Sequence, residues 1–117
     1  MQERSGQKAE VSARNFLEHH GLKHITSNFS CKRGEIDLVM LHSKVLVFVE
    51  VRQRKLSRYA TAIQTIDGRK RSKIILAAQF FLRANARWRS HPCRFDVVTY
   101  DGDPAQCLPR WLKGAFE

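Results

Sequence analysis

No part of the sequence has an apolar run close to the roughly 18–20 residues that a helix needs to span a bilayer. The first ten residues, MQERSGQKAE, are polar or charged and lack the apolar segment of a secretory signal peptide. These two absences argue against a membrane-spanning or secreted protein. We therefore expect a cytoplasmic protein without a membrane partner.

Cysteine pairs with metal-binding spacing are also absent. Cys31, Cys93 and Cys107 lie far apart, and the sequence has no CxxC or Cys/His spacing of the kind that zinc sites use. This spacing argues against a structural zinc site. We expect three reduced thiols in buried or half-buried positions.

Acidic residues are scarce, with 11 Asp and Glu against 21 Lys and Arg, which gives a net charge of +10 and a pI near 10.2. Such a surface attracts polyanions, of which nucleic acid is the usual one. An anionic membrane would favour one basic amphipathic helix, and a ribosome-like structural protein would favour a long basic tail. The basic residues are instead scattered, without a low-complexity segment. We expect a nucleic-acid partner, with DNA as the first candidate and RNA still open.

Two segments have helical periodicity. Residues 5–20 carry an apolar stripe at helical spacing, which consists of Ala9, Ala13, Phe16 and Leu17. Gly21 follows as the predicted C-terminal cap of this helix. His19 and His20 are predicted to stabilise the last turn of that helix. A second helix is predicted to begin after an N-cap at Asp67 or Thr65 and to run to about residue 86.

The strands complete an α/β fold. The 117 residues show no internal repeat and no dividing linker, so we predict a single domain over residues 1–117. Residues 55–64 are predicted to form a loop, and residues 109–116 are a short terminal element of unassigned type. The element order is αβββαβ, a mixed central sheet flanked by helices, with strands predicted at 22–31, 35–41, 45–52 and 94–100.

Two acids interrupt the central strands in the stretch GEIDLVMLHSKVLVFVEVRQR. A carboxylate is costly to place against a packed core, and here Asp37 and Glu50 fall inside strands that a short turn joins into a hairpin. Strict alternation would place Glu50 and Arg52 on one face of the third strand. In the second strand it would place Glu35, Asp37 and Val39 on one face. We expect Asp37 and Glu50 to be near neighbours.

This spacing supports two interpretations. Asp37 and Glu50 would together hold a hard cation such as Mg²⁺, with Arg52 beside a phosphate and Glu10 at the border of the first helix's apolar stripe. Alternatively, each acid simply pairs with an arginine, for which Arg33, Arg52, Arg54 and Arg94 are candidates. The residues alone leave both interpretations open. Asp96 is interpreted as an ordinary strand residue that pairs with an arginine.

The motifs resemble those of the YraN family of small bacterial proteins. The resemblance covers nearly the whole chain and rests on GEIDLV at 34–39, VFVEVRQR at 47–54, RFDVV at 94–98 and a closing Ala115–Phe116. That family is similar to the Holliday-junction-resolvase branch of the restriction-endonuclease-like fold, with its D…(D/E)xK motif. The resemblance implies Mg²⁺ or Mn²⁺ at Asp37 and Glu50, a helix-borne acid at Glu10, and nucleic-acid phosphodiesters as substrate. Resolvases of that branch act as dimers, so a homodimer is a further expectation.

Two positions depart from the family pattern. Arg52 replaces the motif lysine; it keeps the charge and can grip phosphate with two donors, but it cannot release a proton near neutral pH. Tyr59–Ala60 stands where the family tends to have an aromatic residue followed by glycine. The first departure bears on turnover more than on binding.

Basic residues next to these motifs are predicted to contact the phosphate backbone without reading bases. They follow the third strand or begin the second helix, and comprise Arg52, Arg54, Lys55, Arg58, Arg69, Lys70, Arg71 and Lys73. Lys70 is the strongest candidate, because the resemblance places a lysine there. Trp88 and Trp111 are interpreted as core or rim residues rather than base-stacking residues.

Three functions are consistent with the sequence. The first is a divalent-metal-dependent nuclease acting on structured or branched nucleic acid, with Glu10, Asp37, Glu50 and Arg52 in the catalytic site. The second is a non-catalytic nucleic-acid-binding protein that keeps the nuclease fold and has Arg52 in place of the motif lysine. The third is a structural basic protein whose carboxylates form only ion pairs.

Overall fold

A computed structural model describes residues 5–54 and 66–116, and these form two α-helices, one short 3-10 helix and one five-stranded sheet. The predicted αβββαβ order is confirmed, and a fifth strand occupies the terminal segment whose type was unassigned. The loop predicted at 55–64 and the alternative cap Thr65 lie outside the described residues. The elements are α1 (Ser5–His19), β1 (Lys23–Cys31), β2 (Gly34–His42), β3 (Val45–Arg54), α2 (Gly68–Ala84), the 3-10 helix Ala86–Trp88, β4 (Cys93–Asp101) and β5 (Arg110–Phe116).

The sheet is mixed, as predicted. Its strands lie in the order β1-β2-β3-β4-β5. The pairs β1–β2, β2–β3 and β4–β5 are antiparallel, while β3 and β4 are parallel. Parallel neighbours need a crossover connection, and the chain segment between β3 and β4 contains α2.

The central strand β3 is covered on both faces, because its side chains alternate between two apolar clusters. Val47, Val49 and Val51 pack with the apolar stripe of α1. Leu46 and Phe48 pack with the buried face of α2. The helices therefore lie on opposite faces of the sheet. No helix in the described part of the chain is long and apolar enough to cross a membrane.

The helix ends follow the signals in the sequence. Asp67 is the N-cap of α2, and its side chain accepts a 2.9 Å hydrogen bond from the Lys70 amide. At the end of α1, Nδ1 of His19 and of His20 each lie 2.8 Å from a last-turn carbonyl, and Gly21 takes a φ of 90°. Helix α2 stops at Ala84, two residues earlier than predicted, because the Asn85 side chain donates to the Phe81 carbonyl at 2.9 Å.

Two expectations about side-chain placement are wrong. Strict alternation in β2 fails next to Asp37, since Ile36 packs in the same α2-side cluster as Val39. The β2–β3 ladder ends at the Leu38–Val49 pair, and beyond it the Asp37 side chain bonds the β3 backbone. All three cysteines are free, but Cys93 is exposed rather than half-buried, since it is the first residue of β4.

Candidate active site

The site begins where β2 and β3 separate. Their antiparallel register, continued by one pair beyond Leu38 and Val49, would put Asp37 opposite Glu50. There the Val51 amide donates a 2.8 Å hydrogen bond to Oδ2 of Asp37. The Asp37 carboxylate thus accepts the hydrogen bond that a backbone carbonyl would accept in a regular ladder. This bond holds the side chain between the two strands, where only 8% of the residue is exposed.

Glu50 and Asp37 lie side by side. Their carboxyl groups are hydrogen-bonded to each other, and only 3% of Glu50 is exposed. Two carboxyl groups can share such a bond only when one of them keeps a proton. The structure therefore brings together the two acids that the hairpin register suggested, while their role as metal ligands stays a prediction.

Glu10 completes the group from the opposite side. It lies on α1 beside the buried Ala9 and Ala13, and its carboxyl group is hydrogen-bonded to Asp37. A second hydrogen bond comes from the side chain of Asn28 on β1. Asn28 has a φ of 55°, a conformation that asparagine adopts more readily than most residues. We call Glu10, Asp37 and Glu50 the acid cluster.

Burial and mutual repulsion hold protons in the acid cluster. Burial, then the negative charge of Asp37, raises the pKa of Glu50 to about 8. The same causes, in the same order, raise the pKa of Glu10 to about 7. Burial also raises the pKa of Asp37, although the hydrogen bond from the Val51 amide opposes the rise. Such perturbed acids are typical of functional sites.

Two cations act on the cluster from the α2 side. Nζ of Lys70, in the first turn of α2, lies 3.9 Å from Oε1 of Glu50, and the charges of Lys70 and Arg52 both lower the pKa of Glu50. The burial of Glu50 outweighs them, since its pKa is still raised. Lys70 therefore lies beside the acids and joins them to the basic start of α2.

The carboxylates of Asp37 and Glu50 are donors of the kind that a hard divalent cation prefers. Carboxylate oxygens are the preferred protein ligands of Mg²⁺ and Mn²⁺, and Mg²⁺ commonly uses one or two carboxylates with water and phosphate. Within residues 5–54 and 66–116, no three His, Cys, Asp or Glu side chains form a complete ligand group. Asp37 and Glu50 would thus leave most coordination positions to water and phosphate.

The other predicted nucleic-acid contacts are spread more widely. Lys73 lies near Lys70, Arg54 and Arg69 are exposed, and the Arg71 guanidinium lies 5.8 Å from the centre of the Phe116 ring. They surround the start of α2 and the end of β3 without converging on one point. Lys55, Arg58 and the Tyr59–Ala60 pair lie outside the described residues.

A second buried carboxylate has its own partners. Asp96 accepts hydrogen bonds from Nε and Nη2 of Arg94 at 2.8 and 3.0 Å, which confirms the expected arginine pair. It also accepts from Nε1 of Trp111 at 2.9 Å and from the Gly114 amide at 3.0 Å. Trp111 and Trp88 are both half-buried, consistent with core or rim positions.

Four residues near the acid cluster were not predicted as site residues from the sequence. Asn28 bonds Glu10, while Lys32, Arg33 and Glu35 line a cavity next to Lys70. The available signal was the hairpin itself, because the β1–β2 turn and the start of β2 must lie at the same end of the sheet as Asp37. Their packing against α2 could not be read from the sequence.

Comparison with known proteins decides the family. A model described as "Uncharacterised protein family UPF0102" matches residues 9–100. The chain belongs to the UPF0102 family. This confirms the resemblance to the YraN family, which is the same family under another name.

Curated UPF0102 proteins match over nearly the full length of both chains. One from Pseudomonas fluorescens (strain Pf-5) is 54% identical over 114 residues, which cover 97% of this chain and 93% of the relative. One from Ectopseudomonas mendocina (strain ymp) is 49% identical over 112 residues, covering 96% and 93%. One from Pseudomonas syringae pv. syringae is 46% identical over 116 residues, covering 98% and 94%.

Proposed function

We propose that this UPF0102 protein is a divalent-metal-dependent nuclease that hydrolyses phosphodiester bonds in structured or branched nucleic acid. The observation that carries the proposal is the acid cluster, in which buried Asp37 is hydrogen-bonded to both Glu10 and Glu50. A fold rarely buries adjacent acids without a compensating partner, because their desolvation and repulsion cost stability. A cation brought with the substrate would supply that compensation.

Mg²⁺ or Mn²⁺ is the proposed cofactor, held by Asp37 and Glu50. When bound, such a cation neutralises charge on the scissile phosphate and lowers the pKa of a water. The Val51 amide fixes the Asp37 carboxylate in place, so this ligand is preorganised before any cation arrives. Glu10 is well placed to orient or accept the proton of an attacking water, since burial keeps its pKa near 7.

Lys70 and Arg52 would stabilise the charge that develops on the phosphate. The motif of the restriction-endonuclease-like proteins has its lysine two residues after the second acid, where this chain has Arg52. Lys70 brings an ammonium group to Glu50 from α2 instead, at 3.9 Å. We propose that the two divide the task, with Arg52 gripping phosphate oxygens and Lys70 placed beside the cation ligands. The restriction-endonuclease-like fold is part of this proposal and is supported by the acids on β2 and β3 of a mixed sheet.

Arg52 also favours a second candidate function, a nucleic-acid-binding protein without catalysis. If the motif lysine must position a water, Arg52 cannot take over this role, because the arginine side chain is longer, ends in a planar group and is always protonated. The basic surface and the fold would then serve binding alone. The two candidates differ in one measurable property, cleavage.

The decisive experiment incubates the purified protein with branched, flapped and linear DNA in the presence of Mn²⁺ or Mg²⁺. We expect cleavage of the branched or flapped substrates that Asp37→Ala abolishes. Glu18→Gln, an exposed change elsewhere on α1, serves as the matched control purified in parallel. Equal cleavage by wild type and Asp37→Ala would assign the activity to a contaminant and refute the proposal.

Arg52→Lys separates the two candidates when wild-type cleavage is weak. The nuclease proposal predicts little change, whereas the binding-protein alternative predicts that cleavage appears only in the variant. Calorimetric titration with Mn²⁺ adds a readout that is independent of turnover. Absence of a binding isotherm in the wild type would favour a structural basic protein over both candidates.

A further inference from the structure

The structure contains a basic cavity of about 400 Å³ between the β1–β2 turn and the first two turns of α2. Four of its lining residues are cations, Lys32 and Arg33 from the turn and Lys70 and Lys73 from α2, and one is an acid, Glu35. We call this cavity the basic pocket. Its excess of positive charge in a concave site favours a polyanion.

The basic pocket is held in shape by a close backbone contact. Lys32 and Arg33 form a two-residue turn, since Cys31 pairs directly with Gly34. A Cβ added to Gly34 would lie 2.8 Å from the Lys73 carbonyl oxygen, so glycine lets the turn approach the backbone of α2. The two cations of the turn therefore line the same cavity as the two lysines of the helix.

Lys70 links the basic pocket to the acid cluster. It lines the pocket, and its ammonium lies 3.9 Å from Glu50. An anion in the pocket would therefore lie next to a phosphate at the acids, as neighbouring phosphates of one nucleic-acid strand do. A lipid surface would need a flat or protruding basic face instead of a concave pocket that opens beside carboxylates.

We infer that the basic pocket binds a backbone phosphate of the nucleic-acid strand, adjacent to the phosphate at the acid cluster, and that Lys32 and Arg33 are its outer ligands. The inference deepens the proposed function and rests on it for the identity of the strand. It assigns a role to two residues outside the D…(D/E)xK motif. Contacts of this kind orient the strand without reading its bases.

The test measures binding of a fluorescent branched DNA in EDTA over a range of salt concentrations. The variant is Lys32→Ala/Arg33→Ala, in which both side chains are exposed. The matched control is Lys23→Ala/Lys44→Ala, which removes the same charge at the opposite end of β2, where Lys23 pairs with Leu41 and Lys44 lies in the turn after β2. Urea midpoints of both variants establish that they are folded.

We expect the pocket variant to bind about tenfold more weakly and its slope of log K against log[salt] to be smaller in magnitude by about 1, at roughly 0.9 per lost phosphate contact. The control should stay within about twofold of wild type. Equal losses in both variants would show that net charge alone matters and would overturn the inference. The inference would also be overturned if the Lys32→Ala/Arg33→Ala variant bound DNA as well as wild type but lost binding to vesicles of phosphatidylglycerol and phosphatidylcholine.

The result is separable from the failure of the proposed nuclease. If wild type cuts no DNA with Mn²⁺ but the pocket variant still binds DNA more weakly than the control, the pocket stands and the catalytic proposal fails. If wild type cuts DNA and the two variants bind it equally, the nuclease proposal stands and the pocket is refuted.

Discussion

Asp96 and Glu50 are buried acids on neighbouring strands, and their surroundings differ in kind. Asp96 is completely buried and accepts four hydrogen bonds, two from Arg94, one from Trp111 and one from the Gly114 amide. Glu50 has another acid as its hydrogen-bond partner, and the ammonium of Lys70 lies 3.9 Å away. The first acid is fully compensated by the protein, whereas the second lies beside Asp37, whose negative charge adds to the effect of burial in raising the pKa of Glu50.

This difference distinguishes a structural carboxylate from a candidate catalytic one. A buried charge that is paired and hydrogen-bonded holds elements together, and here Asp96 ties β4 to β5. Buried acids that repel each other lower stability. Proteins retain such acids mainly where a ligand or a reaction depends on them. The comparison therefore predicts opposite stability effects when each acid is neutralised.

The largest effect is expected for Asp96→Ala. Removing this carboxylate leaves the Arg94 guanidinium, the Trp111 Nε1 and the Gly114 amide without their acceptor. We expect the free energy of unfolding to fall by about 3–5 kcal/mol, as is usual when one partner of a buried ion pair is removed. Urea unfolding followed by tryptophan fluorescence measures it. A loss below about 1 kcal/mol would show that Asp96 is not the structural acid described here.

Neutralising Glu50 should have the opposite sign. In Glu50→Gln the amide imitates the protonated acid and can still donate to Asp37. Because the pKa of Glu50 is about 8 in the folded protein and 4.5 for the ordinary side chain, its ionisation at pH 8 costs folding free energy. Without divalent cations at pH 8, we expect the variant to be more stable than wild type by up to about 4 kcal/mol.

The pH dependence checks the sign of this effect. A raised acid pKa means that the folded state holds more protons, so wild-type stability falls as pH rises from about 4.5 to 8. His24 and His42 oppose this below pH 6.5, because burial lowers their pKa and their cost disappears as they lose their protons. The advantage of Glu50→Gln should therefore grow steadily from pH 5 to pH 8. A constant difference across this range would contradict a raised pKa of Glu50 in the folded protein.

Much of the fold was visible in the sequence, for identifiable reasons. The nearly continuous apolar run over the first five residues of β3 indicated a strand covered on both faces. Asp67 was one of the two N-caps predicted for α2. The hairpin register also brought Asp37 and Glu50 together. Strand β5 was not recognised, because its pairing depends on a register shift in β4 between Phe95 and Val97 and on a φ of 58° at Gly114.

The unpredicted parts of the site depend on tertiary packing. The contact between Lys70 and Glu50 requires the start of α2 to lie near the end of β3, which no local pattern specifies. Likewise, the basic pocket depends on how closely the β1–β2 turn approaches α2. Local chemistry predicted which residues were unusual, and the crossover between β3 and β4 determined which of them meet.

The variant Gly34→Ala tests how closely the β1–β2 turn approaches α2. Its added methyl group would lie 2.8 Å from the Lys73 carbonyl oxygen, so the turn must move away from α2. We expect a loss of roughly 1–2 kcal/mol, as for overpacking by one methyl group. Gly68→Ala is the control, since nothing lies within 4 Å of its added Cβ, and it should be neutral or slightly stabilising. Equal urea midpoints for the two variants would rule out the close contact.

The smallest predicted effect links stability to the proposed cofactor. At pH 8, Mn²⁺ at about ten times its dissociation constant should stabilise wild type by about 1.4 kcal/mol, since it binds the folded acid cluster and not the unfolded chain. The gain should shrink at pH 6, because protons compete for the raised-pKa carboxyl groups of Glu10 and Glu50. Asp37→Asn should lose the gain, while Glu18→Gln should keep it. Stabilisation that survives Asp37→Asn would place the cation elsewhere and leave the acid cluster without its proposed ligand.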